Sequence, residues 1–506
     1  MRAPRIAVSI TATVLAAGLA SATVAASPAS AGNPNNSAKL TKAVTLDGVT
    51  RHLEALQGIA TANGGNRAAG NPGYEASGAY VERVLRSAGY TPRRQYFDFP
   101  YQAPAALRQV SPDATTYVTG SFTGTGAGDV TSRVTPVDLS LTGARASTSG
   151  CQAGDFAGFP SGTIALVQRG GCTFADKVLN AQAAGASAVI IFNQGNDPSR
   201  LDLIVGTLAP SSATIPVVGA SFADGADLAD PAGTVARVTA AAPETRRTFN
   251  VIAETGSGRS DNVVMLGAHL DSVARGPGVN DNGSGSAAIL ETAVQLASVN
   301  KLNNRVRFAW WGAEELGLIG STHYVDDLVA NDAAALGDAT YLNFDMVASP
   351  NYVIGVYDAD ESTYPAPVPV PPGSAETEDV FTDWFDSQGQ PWVDTEFSGR
   401  SDYQAFIQAG VPASGLFTGA DGTKTPAEVA LFGGTAGITY DPSYHTAGDD
   451  LANVDPTALD VMSDAVAHAT ITLAQDTFAV NGARSAGTSG NPHPTRDLGA
   501  RSVSVG

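Results

Sequence analysis

Apolar residues near the start of the chain recur every three or four positions, which predicts two amphipathic helices. The apolar face of the first helix carries Val49, Leu53, Leu56 and Ile59. That of the second carries Tyr80, Val81, Val84 and Leu85, and this helix is predicted to end before Gly89. After Pro100 the helical spacing stops and short β-rich runs begin. The chain therefore opens on helices and then changes its secondary structure.

The β-rich block contains short apolar runs separated by turn residues. Its predicted strands are 163–168, 188–192 and 215–218, with a helix at 175–184. Strands and helices alternate again from residue 250 onwards. The predicted strands of this second part are 250–254, 263–269, 306–311 and 341–344, with helices beginning near residues 283 and 316. Such alternation predicts an α/β fold with a mixed, largely parallel sheet covered by helices on both faces.

These changes divide the chain into segments. The block 101–243 is predicted to be a β-rich insertion in a domain formed by residues 44–100 and 244–480. Five prolines between residues 363 and 373 predict a loop, and Asp455-Pro456 predicts the start of a last helix, since Pro is favoured in the first turn. Residues 481–506 are rich in Gly, Ser, Pro and Arg, which predicts a disordered or processed tail.

The first 31 residues have the features of a secretory signal peptide. Arg2 and Arg5 precede an apolar run over residues 6–20, and Ala29-Ser30-Ala31 is a small-residue cleavage site. A transmembrane anchor is the rival interpretation, but the run is shorter than the roughly 20 apolar residues that a span needs. We therefore expect a secreted, extracellular protein, with residues 32–43 as a short pro-segment or linker.

Composition restricts the function classes. The 506 residues are 43% hydrophobic and 15% charged, so most of the chain must fold. With 29 basic and 49 acidic residues the formal net charge is -20, which argues against binding to nucleic acid or to an anionic membrane surface. The only cysteines are Cys151 and Cys172, and outside the cell a disulfide is the default for such a pair. A catalytic thiol or a zinc thiolate would need a nearby histidine, and none lies between His52 and His269.

Polar residues suited to metal binding follow several of the predicted strands. They are His269, Asp271, Asp281 in a glycine-rich turn, the pair Glu314-Glu315, Asp345, and Tyr444-His445 in a later turn. Ligands of open α/β sheets bind beyond the carboxyl ends of the strands, so these side chains are expected to converge. Any one of them has a structural explanation, such as a salt-linked pair or a cap. Two histidines and three carboxylates together match two divalent ions that share one carboxylate, and zinc suits this ligand set best.

Several motifs resemble the secreted bacterial double-zinc aminopeptidases, the leucine aminopeptidase type of the zinc exopeptidases. The motifs are Gly267-Ala268-His269-Leu270-Asp271-Ser272-Val273, Asn280-Asp281-Asn282-Gly283-Ser284-Gly285, Trp310-Trp311-Gly312-Ala313-Glu314-Glu315-Leu316-Gly317, Tyr444-His445-Thr446, Asn63-Gly64-Gly65-Asn66-Arg67 and Gly399-Arg400-Ser401-Asp402. Together they span nearly all of residues 44–100 and 244–480. The inserted block resembles a protease-associated domain, through residues 165–174 and 185–190.

The resemblance implies a role for each site residue. His269, Asp281 and Asp345 would bind one zinc, and Asp281, Glu315 and His445 the other. Glu314 would be the general acid/base, Tyr444 would help to polarise the scissile carbonyl, and Asp271 would orient the site from behind the ligands. The implied reaction is removal of an N-terminal residue, of large apolar type, from a peptide or protein. A cis peptide bond after Asp281 is also implied.

Shorter relatives bind calcium through an acidic residue near the mature N-terminus and two on the last helix. The two on the last helix correspond here to Asp460 and Asp464, whereas Ala43 occupies the place of the N-terminal acid. The sequence therefore leaves calcium binding open. Separately, we expect the protein to be a monomer.

Two other functions remain compatible with the sequence. A carboxypeptidase or dipeptidase would share the zinc site but recognise a free carboxylate, for which Arg400 is a candidate. The acidic cluster of Glu314, Glu315 and Asp345 instead favours a substrate ammonium group. A non-catalytic binding protein would keep the fold but lose ligands, and the ligand set here is complete.

Overall fold

A computed structural model of the protein describes residues 36–230, 233–299, 301–337 and 339–483. The predicted signal peptide and residues 484–506 of the predicted tail lie outside this range. The described helices are α1 Ser37–Ala43, α2 Leu46–Ala62, α3 Pro72–Ser87, α4 Phe174–Ala183, α5 Phe222–Ala229, α6 Gly285–Leu296, α7 Ile319–Asn331, α8 Ala334–Gly337, α9 Ser374–Gln388, α10 Tyr403–Gln408, α11 Pro426–Phe432, α12 Pro456–Gln475 and α13 Phe478–Asn481. Of these helices, none has the length and hydropathy needed to cross a bilayer.

The strands of the described residues form two sheets, one in each predicted domain. The first contains β1 Arg93–Tyr101, β9 Glu244–Glu254, β10 Arg259–His269, β11 Asn304–Trp311, β12 Ala339–Phe344, β13 Gly355–Tyr357, β14 Val393–Thr395 and β15 Ala413–Phe417. The second contains β2 Ala106–Ser111, β3 Thr115–Tyr117, β4 Gly128–Pro136, β5 Ile164–Gln168, β6 Ala188–Phe192, β7 Val217–Ala220 and β8 Val235–Ala240.

The larger sheet is mixed, as the alternation of strands and helices predicted. Its strand order is β1-β9-β11-β10-β12-β15-β13-β14. The four central strands β11, β10, β12 and β15 run parallel to one another, whereas β1 and β9 pair antiparallel at one side. Residues of β10 and β12 are buried throughout their central parts, as expected for strands covered on both faces.

Helices cover both faces of this sheet. One apolar core contains residues of α2, α3, α6, α9 and α12, and the opposite core contains residues of α7 and α10. The first predicted helix is α2, where Val49, Leu53 and Leu56 are buried and the Thr45 side chain accepts a hydrogen bond from Gly48 N at the amino end. The last predicted helix is α12, which begins at Pro456 and is capped by Asp455.

The smaller sheet lies within the predicted insertion. Its strand order is β3-β2-β8-β4-β5-β6-β7, and α4 and α5 pack on it. A disulfide joins Cys151 to Cys172, as predicted from the two cysteines. Because β1 ends at Tyr101 and β9 begins at Glu244, the chain leaves and re-enters the larger sheet through two antiparallel neighbours.

The pattern of apolar residues did not predict α1. Its residues lie in the segment expected to be a pro-segment or linker, yet Leu40 is only 2% exposed. Ser37 Oγ lies 2.6 Å from Nδ1 of His468 on α12. Residues 37–43 are therefore packed against the domain that follows them.

Candidate metal centre

Three neighbouring parallel strands bring the site residues to one edge of the larger sheet. His269 is the last residue of β10 and pairs in register with Trp311, the last residue of β11. Glu314 and Glu315 follow β11, and Asp345 follows β12, which lies on the other side of β10. Asp281 reaches the same place from the turn before α6. His445 arrives from the long loop before α12.

The carboxylate of Asp281 lies between two imidazoles. Its Oδ1 is 3.2 Å from His269 Nε2, and its Oδ2 is 3.1 Å from His445 Nε2. Each imidazole faces one further carboxylate, with Asp345 Oδ1 3.2 Å from His269 Nε2 and Glu315 Oε2 3.0 Å from His445 Nε2. The structure thus brings together all five residues that the sequence grouped as ligands, in two sets that share Asp281.

The hydrogen bonds of His269 show which ring nitrogen is free to bind a cation. Its Nδ1 lies 3.1 Å from the carbonyl oxygen of Asp271, which can only accept, so Nδ1 carries a proton. In the neutral ring the lone pair is then on Nε2, which faces the oxygens of Asp281 and Asp345. Acceptors facing acceptors repel each other unless a cation lies among them.

The electrostatics of the cluster also indicate a cation. Burial raises the pKa of Glu314 well above its usual range, and the nearby charge of Asp345 adds to this shift. Burial and the charge of Asp281 raise the pKa of Glu315 to about 7. Buried Glu315 Oε1 has no hydrogen-bond partner among the described residues. Buried carboxylates of this kind are paired or bind metal ions, and imidazole with carboxylate is a donor set that zinc accepts.

The histidines respond to the same carboxylates. Burial opposes a charge on His269, but the negative charges of Asp345 and Glu314 outweigh it and raise the pKa of the ring well above its usual value. For His445, burial is likewise outweighed by hydrogen bonds to Asp281 and Glu315, and its pKa rises to about 10. A cation bound at the site would take the place of the extra protons that these raised pKa values place on the two imidazole rings.

Asp271 connects the cluster of candidate ligands to Glu314. Its Oδ1 accepts a hydrogen bond of 3.2 Å from Glu314 N and lies 3.7 Å from His269 Nδ1. Burial raises the pKa of Asp271 to about 6. The Glu314 carboxylate extends toward the same cluster, with Oε2 3.8 Å from His269 Nε2. Glu314 is therefore close to the candidate ligands, but it lies farther from His269 Nε2 than Asp281 and Asp345 do.

The turn that carries Asp281 is held from several sides. Asp449 accepts hydrogen bonds from Asn280 N and Asp281 N, at 2.8 and 3.0 Å. The Asp281-Asn282 peptide bond is cis, as the resemblance implied. Gly285 permits close packing here, because a Cβ at this position would collide with the carbonyl oxygen of Phe344. The role of Asp449 was not predicted from the sequence.

Arg67 was also missed as a functional residue, although it lies in one of the recognised motifs. Its guanidinium is completely buried and donates hydrogen bonds to the carbonyl oxygens of Leu270, Pro277 and Gly278. Its main-chain N–H donates to Ser272 Oγ at 2.9 Å. Arg67 thereby fixes the loop between His269 and the turn that carries Asp281.

A cavity of about 360 Å³ opens at the metal centre. Tyr444 and Arg400 line it together with His269, Asp281 and Glu314. The Tyr444 ring stacks on the ring of His445 with centroids 3.8 Å apart, and its hydroxyl is 3.4 Å from Arg400 Nη2. Both sequence candidates therefore border the cavity.

The two residues considered for calcium lie elsewhere. Asp460 and Asp464 are one turn apart on α12, and burial raises the pKa of Asp464 to about 6, with Asp460 adding to the shift. Ala43, at the end of α1, carries no carboxylate. Within the described parts of the chain, the groups of three donors close enough to hold one ion do not include Asp460 or Asp464.

Comparisons with known proteins show the family to which the chain belongs. The family model of peptidase family M28 matches residues 250–470, and that of the PA domain matches residues 134–228. An aminopeptidase of Pseudomonas aeruginosa (strain UCBPP-PA14) is 47% identical over 451 residues, covering 87% of this chain and 83% of that protein. The chain belongs to peptidase family M28.

Two further matches support the assignment of this M28 peptidase. Leucine aminopeptidase 2 of Trichophyton rubrum is 47% identical over 328 residues, covering 64% of each chain. The structure of a zinc aminopeptidase from Bacillus subtilis matches with a TM-score of 0.63 and 25% identity, covering 86% of this chain and 97% of that chain. The M28 peptidase is thus a zinc-dependent aminopeptidase with an inserted PA domain.

Proposed function

We propose that this M28 peptidase is a secreted enzyme that removes N-terminal residues from peptides and proteins with two zinc ions. His269, Asp281 and Asp345 would hold one ion, and Asp281, Glu315 and His445 the other. The observation that supports this arrangement best is the position of Asp281, whose two oxygens each lie close to a different imidazole. A single ion held by His269 would leave His445 facing the other oxygen without an ion between them.

The protein residues supply positioning and proton transfer. When bound, zinc polarises a substrate carbonyl and lowers the pKa of a water molecule. Glu314 would take the proton from the attacking water and give it to the leaving amine. The neighbouring carboxylate of Asp271 accepts a hydrogen bond from the main-chain N–H of Glu314, which fixes the backbone from which the Glu314 side chain extends. General acid/base groups must lie within reach of the reacting atoms, and Glu314 lines the cavity next to His269.

The hydroxyl of Tyr444 would donate a hydrogen bond to the substrate carbonyl oxygen. The phenol borders the cavity, and its stacking on His445 restrains the ring next to a proposed ligand. Asp271 would keep His269 in its Nδ1-protonated form through the main-chain carbonyl contact.

The charge of the site favours a substrate ammonium over a substrate carboxylate. Glu314 and Asp345 line the cavity, and both are acidic. Arg400, the candidate carboxylate binder, already pairs with Asp421 through both of its terminal nitrogens, at 3.0 and 3.3 Å. This pairing disfavours a carboxypeptidase or dipeptidase. Apolar side chains such as Val353 and Phe417 also line the cavity, which suits a large first residue with apolar surface.

The other parts of the proposal concern the whole chain. We propose cleavage of a signal peptide after Ala31, a catalytic domain of residues 44–100 and 244–480, an inserted domain of residues 101–243, and a monomeric enzyme. The inserted domain would contribute no zinc ligand. Calcium is not part of the proposal because Ala43 offers no carboxylate to accompany Asp460 and Asp464.

One experiment tests the central claim. Purified protein is freed of metal with a chelator and then titrated with zinc, while cleavage of a free-amine peptide is compared with that of the same peptide N-acetylated. We expect activity to return with about two zinc ions per chain and only for the free amine. Cleavage of the acetylated peptide from its carboxyl end would contradict the proposal, as would full activity with one ion. Mass spectrometry of the protein recovered from culture medium tests removal of residues 1–31.

A further inference from the structure

The cavity beside the metal centre carries acidic side chains that the proposed reaction does not use. These acidic side chains, none of which belongs to the metal centre, are Asp394, Glu396, Asp421 and Glu428. The only basic side chain among the cavity-lining residues, histidines aside, is Arg400, which pairs with Asp421. The apolar part of the wall is formed by Met346, Val353, Tyr357, Val393 and Phe417. The cavity is therefore apolar in part but strongly acidic.

The acidic side chains differ in the partners they already have. Both carboxylate oxygens of Glu428 accept hydrogen bonds, one from the Tyr440 hydroxyl at 2.8 Å and one from Thr425 N at 2.6 Å. Asp394 uses only Oδ2, which accepts hydrogen bonds from the hydroxyls of Thr363 and Ser362. Its Oδ1 is buried and has no hydrogen-bond partner among the described residues. A buried carboxylate oxygen without a donor is costly, so Asp394 is suited to a ligand that brings a donor with it.

Two tyrosines border the same acidic part of the cavity. Burial raises the pKa of Tyr364, and the charges of Glu428, Asp394 and Glu396 raise it further. Tyr440 lies next to Glu428 through its hydrogen bond. Carboxylates form charge-assisted hydrogen bonds with ammonium and guanidinium groups, and aromatic faces attract the same groups. The combination is typical of a pocket for an organic cation.

We propose that the cavity selects N-terminal lysine or arginine, with Asp394 as the specificity-determining residue. The inference rests on the proposed function, because it requires the first residue of the substrate to enter this cavity. The methylene stem of a lysine or arginine side chain would pack against Val353 and Phe417. Its cationic end would pair with the carboxylate of Asp394, which lines the cavity. A leucine side chain would fit the apolar wall but would bring no donor to this carboxylate.

The test compares substrates of similar size and different charge. Zinc-loaded enzyme is assayed with lysine, arginine, norleucine and leucine p-nitroanilides, because norleucine has the stem of lysine without its charge. We expect kcat/KM for lysine to equal or exceed that for norleucine. Asp394→Asn keeps the shape and the Thr363 contact but removes the charge. It should lower kcat/KM for lysine and arginine about ten- to a hundredfold and change that for norleucine less than about threefold.

Two further variants make the result decisive. Asp332→Asn, an exposed residue that does not line the cavity, changes the net charge equally and should leave all four substrates unaffected. Glu396→Gln alters an exposed residue of the cavity and should lower kcat/KM for lysine about two- to fivefold, so it tests the charge effect even if Asp394→Asn does not fold.

The outcomes separate this inference from the function on which it rests. If no free-amine substrate is cleaved with zinc present, the proposed function fails. If norleucine and leucine are cleaved but kcat/KM for lysine is lower than that for norleucine in the wild type, only the charge selectivity is overturned. Equal losses for lysine and norleucine in Asp394→Asn would overturn the assignment of Asp394.

Discussion

Asp281 and His445 are in contact at the site, with Asp281 Oδ2 3.1 Å from His445 Nε2. The two residues are 164 positions apart in the chain and arrive from different loops. The other oxygen of Asp281 faces His269 at 3.2 Å. The carboxylate of Asp281 therefore lies between His269, at the end of β10, and His445, in the loop before α12. Both proposed ions depend on it.

The first prediction concerns this bridging position. Asp281→Asn keeps the shape of the side chain but removes one charge from both proposed sites, so it should lower zinc binding and not only turnover. We expect fewer than two zinc ions per chain after dialysis and a loss of kcat of about a hundredfold or more. Metal analysis and steady-state kinetics check this. Asp464→Asn removes the same charge from α12 and should retain the zinc content of the wild type.

The second prediction concerns the buried guanidinium that holds the loop after His269. Arg67→Met would leave the carbonyl oxygens of Leu270 and Pro277 without their donor, whereas that of Gly278 would still accept from Gly283 N. Each unpaired buried group costs about 1–3 kcal/mol, so the free energy of unfolding should fall by about 2–6 kcal/mol. Arg67→Lys should recover only part of this loss, because an ammonium lacks the fork of donors. Denaturant unfolding measures both, and wild-type stability in Arg67→Lys would contradict the interpretation.

Much of the site could be predicted from sequence because its residues follow strands with a strong apolar signal. The run 263–269 identified β10, and the positions of His269, Glu314 and Asp345 after strands implied that they converge. The sequence did not predict β13 and β14, which have three residues each and pair with strands distant in sequence. Asp394 lies on β14, so its place in the cavity could not be predicted. For the same reason α1, with Leu40 as its one fully buried side chain, has too short a pattern to detect.

The third prediction concerns the disulfide of the smaller sheet. Replacing Cys151 and Cys172 together by Ser opens a loop of 21 residues, which should lower the free energy of unfolding by about 3 kcal/mol. Since neither cysteine lines the cavity, kcat of the folded enzyme on a dipeptide substrate should be nearly unchanged. Thermal unfolding and kinetics below the transition check this. Loss of zinc from a still-folded variant would show that the inserted domain supports the metal centre.

The fourth prediction concerns pH and the contact between α1 and α12. Burial lowers the pKa of His468 to about 4, below its usual value of 6.5. The unfolded chain therefore binds a proton here more readily than the folded one, and stability falls as the pH drops from about 6.5 to 4. The loss is no more than about 3 kcal/mol. His468→Gln should remove this part of the pH dependence, which urea unfolding between pH 4 and 8 would measure. An unchanged pH profile in His468→Gln would contradict the assignment.

The last prediction separates proton transfer from metal binding at two adjacent glutamates. Glu315 Oε2 lies 3.0 Å from His445 Nε2, whereas Glu314 Oε2 lies 3.8 Å from His269 Nε2 and its main-chain N–H is held by Asp271. Glu314→Gln keeps a polar end but cannot take a proton, so kcat should fall about 100- to 10,000-fold with KM and zinc content little changed. Glu315→Gln removes a proposed ligand and should lower zinc affinity together with kcat.

The two variants control for each other, because they make the same chemical change at neighbouring positions. Zinc content after dialysis and steady-state kinetics are measured on both proteins under the same conditions. If Glu314→Gln loses zinc while Glu315→Gln keeps its full complement, the two roles must be exchanged. If both variants keep zinc and lose activity equally, His445 and Asp281 must hold the second ion without Glu315, and the shared-carboxylate arrangement would need a different third ligand.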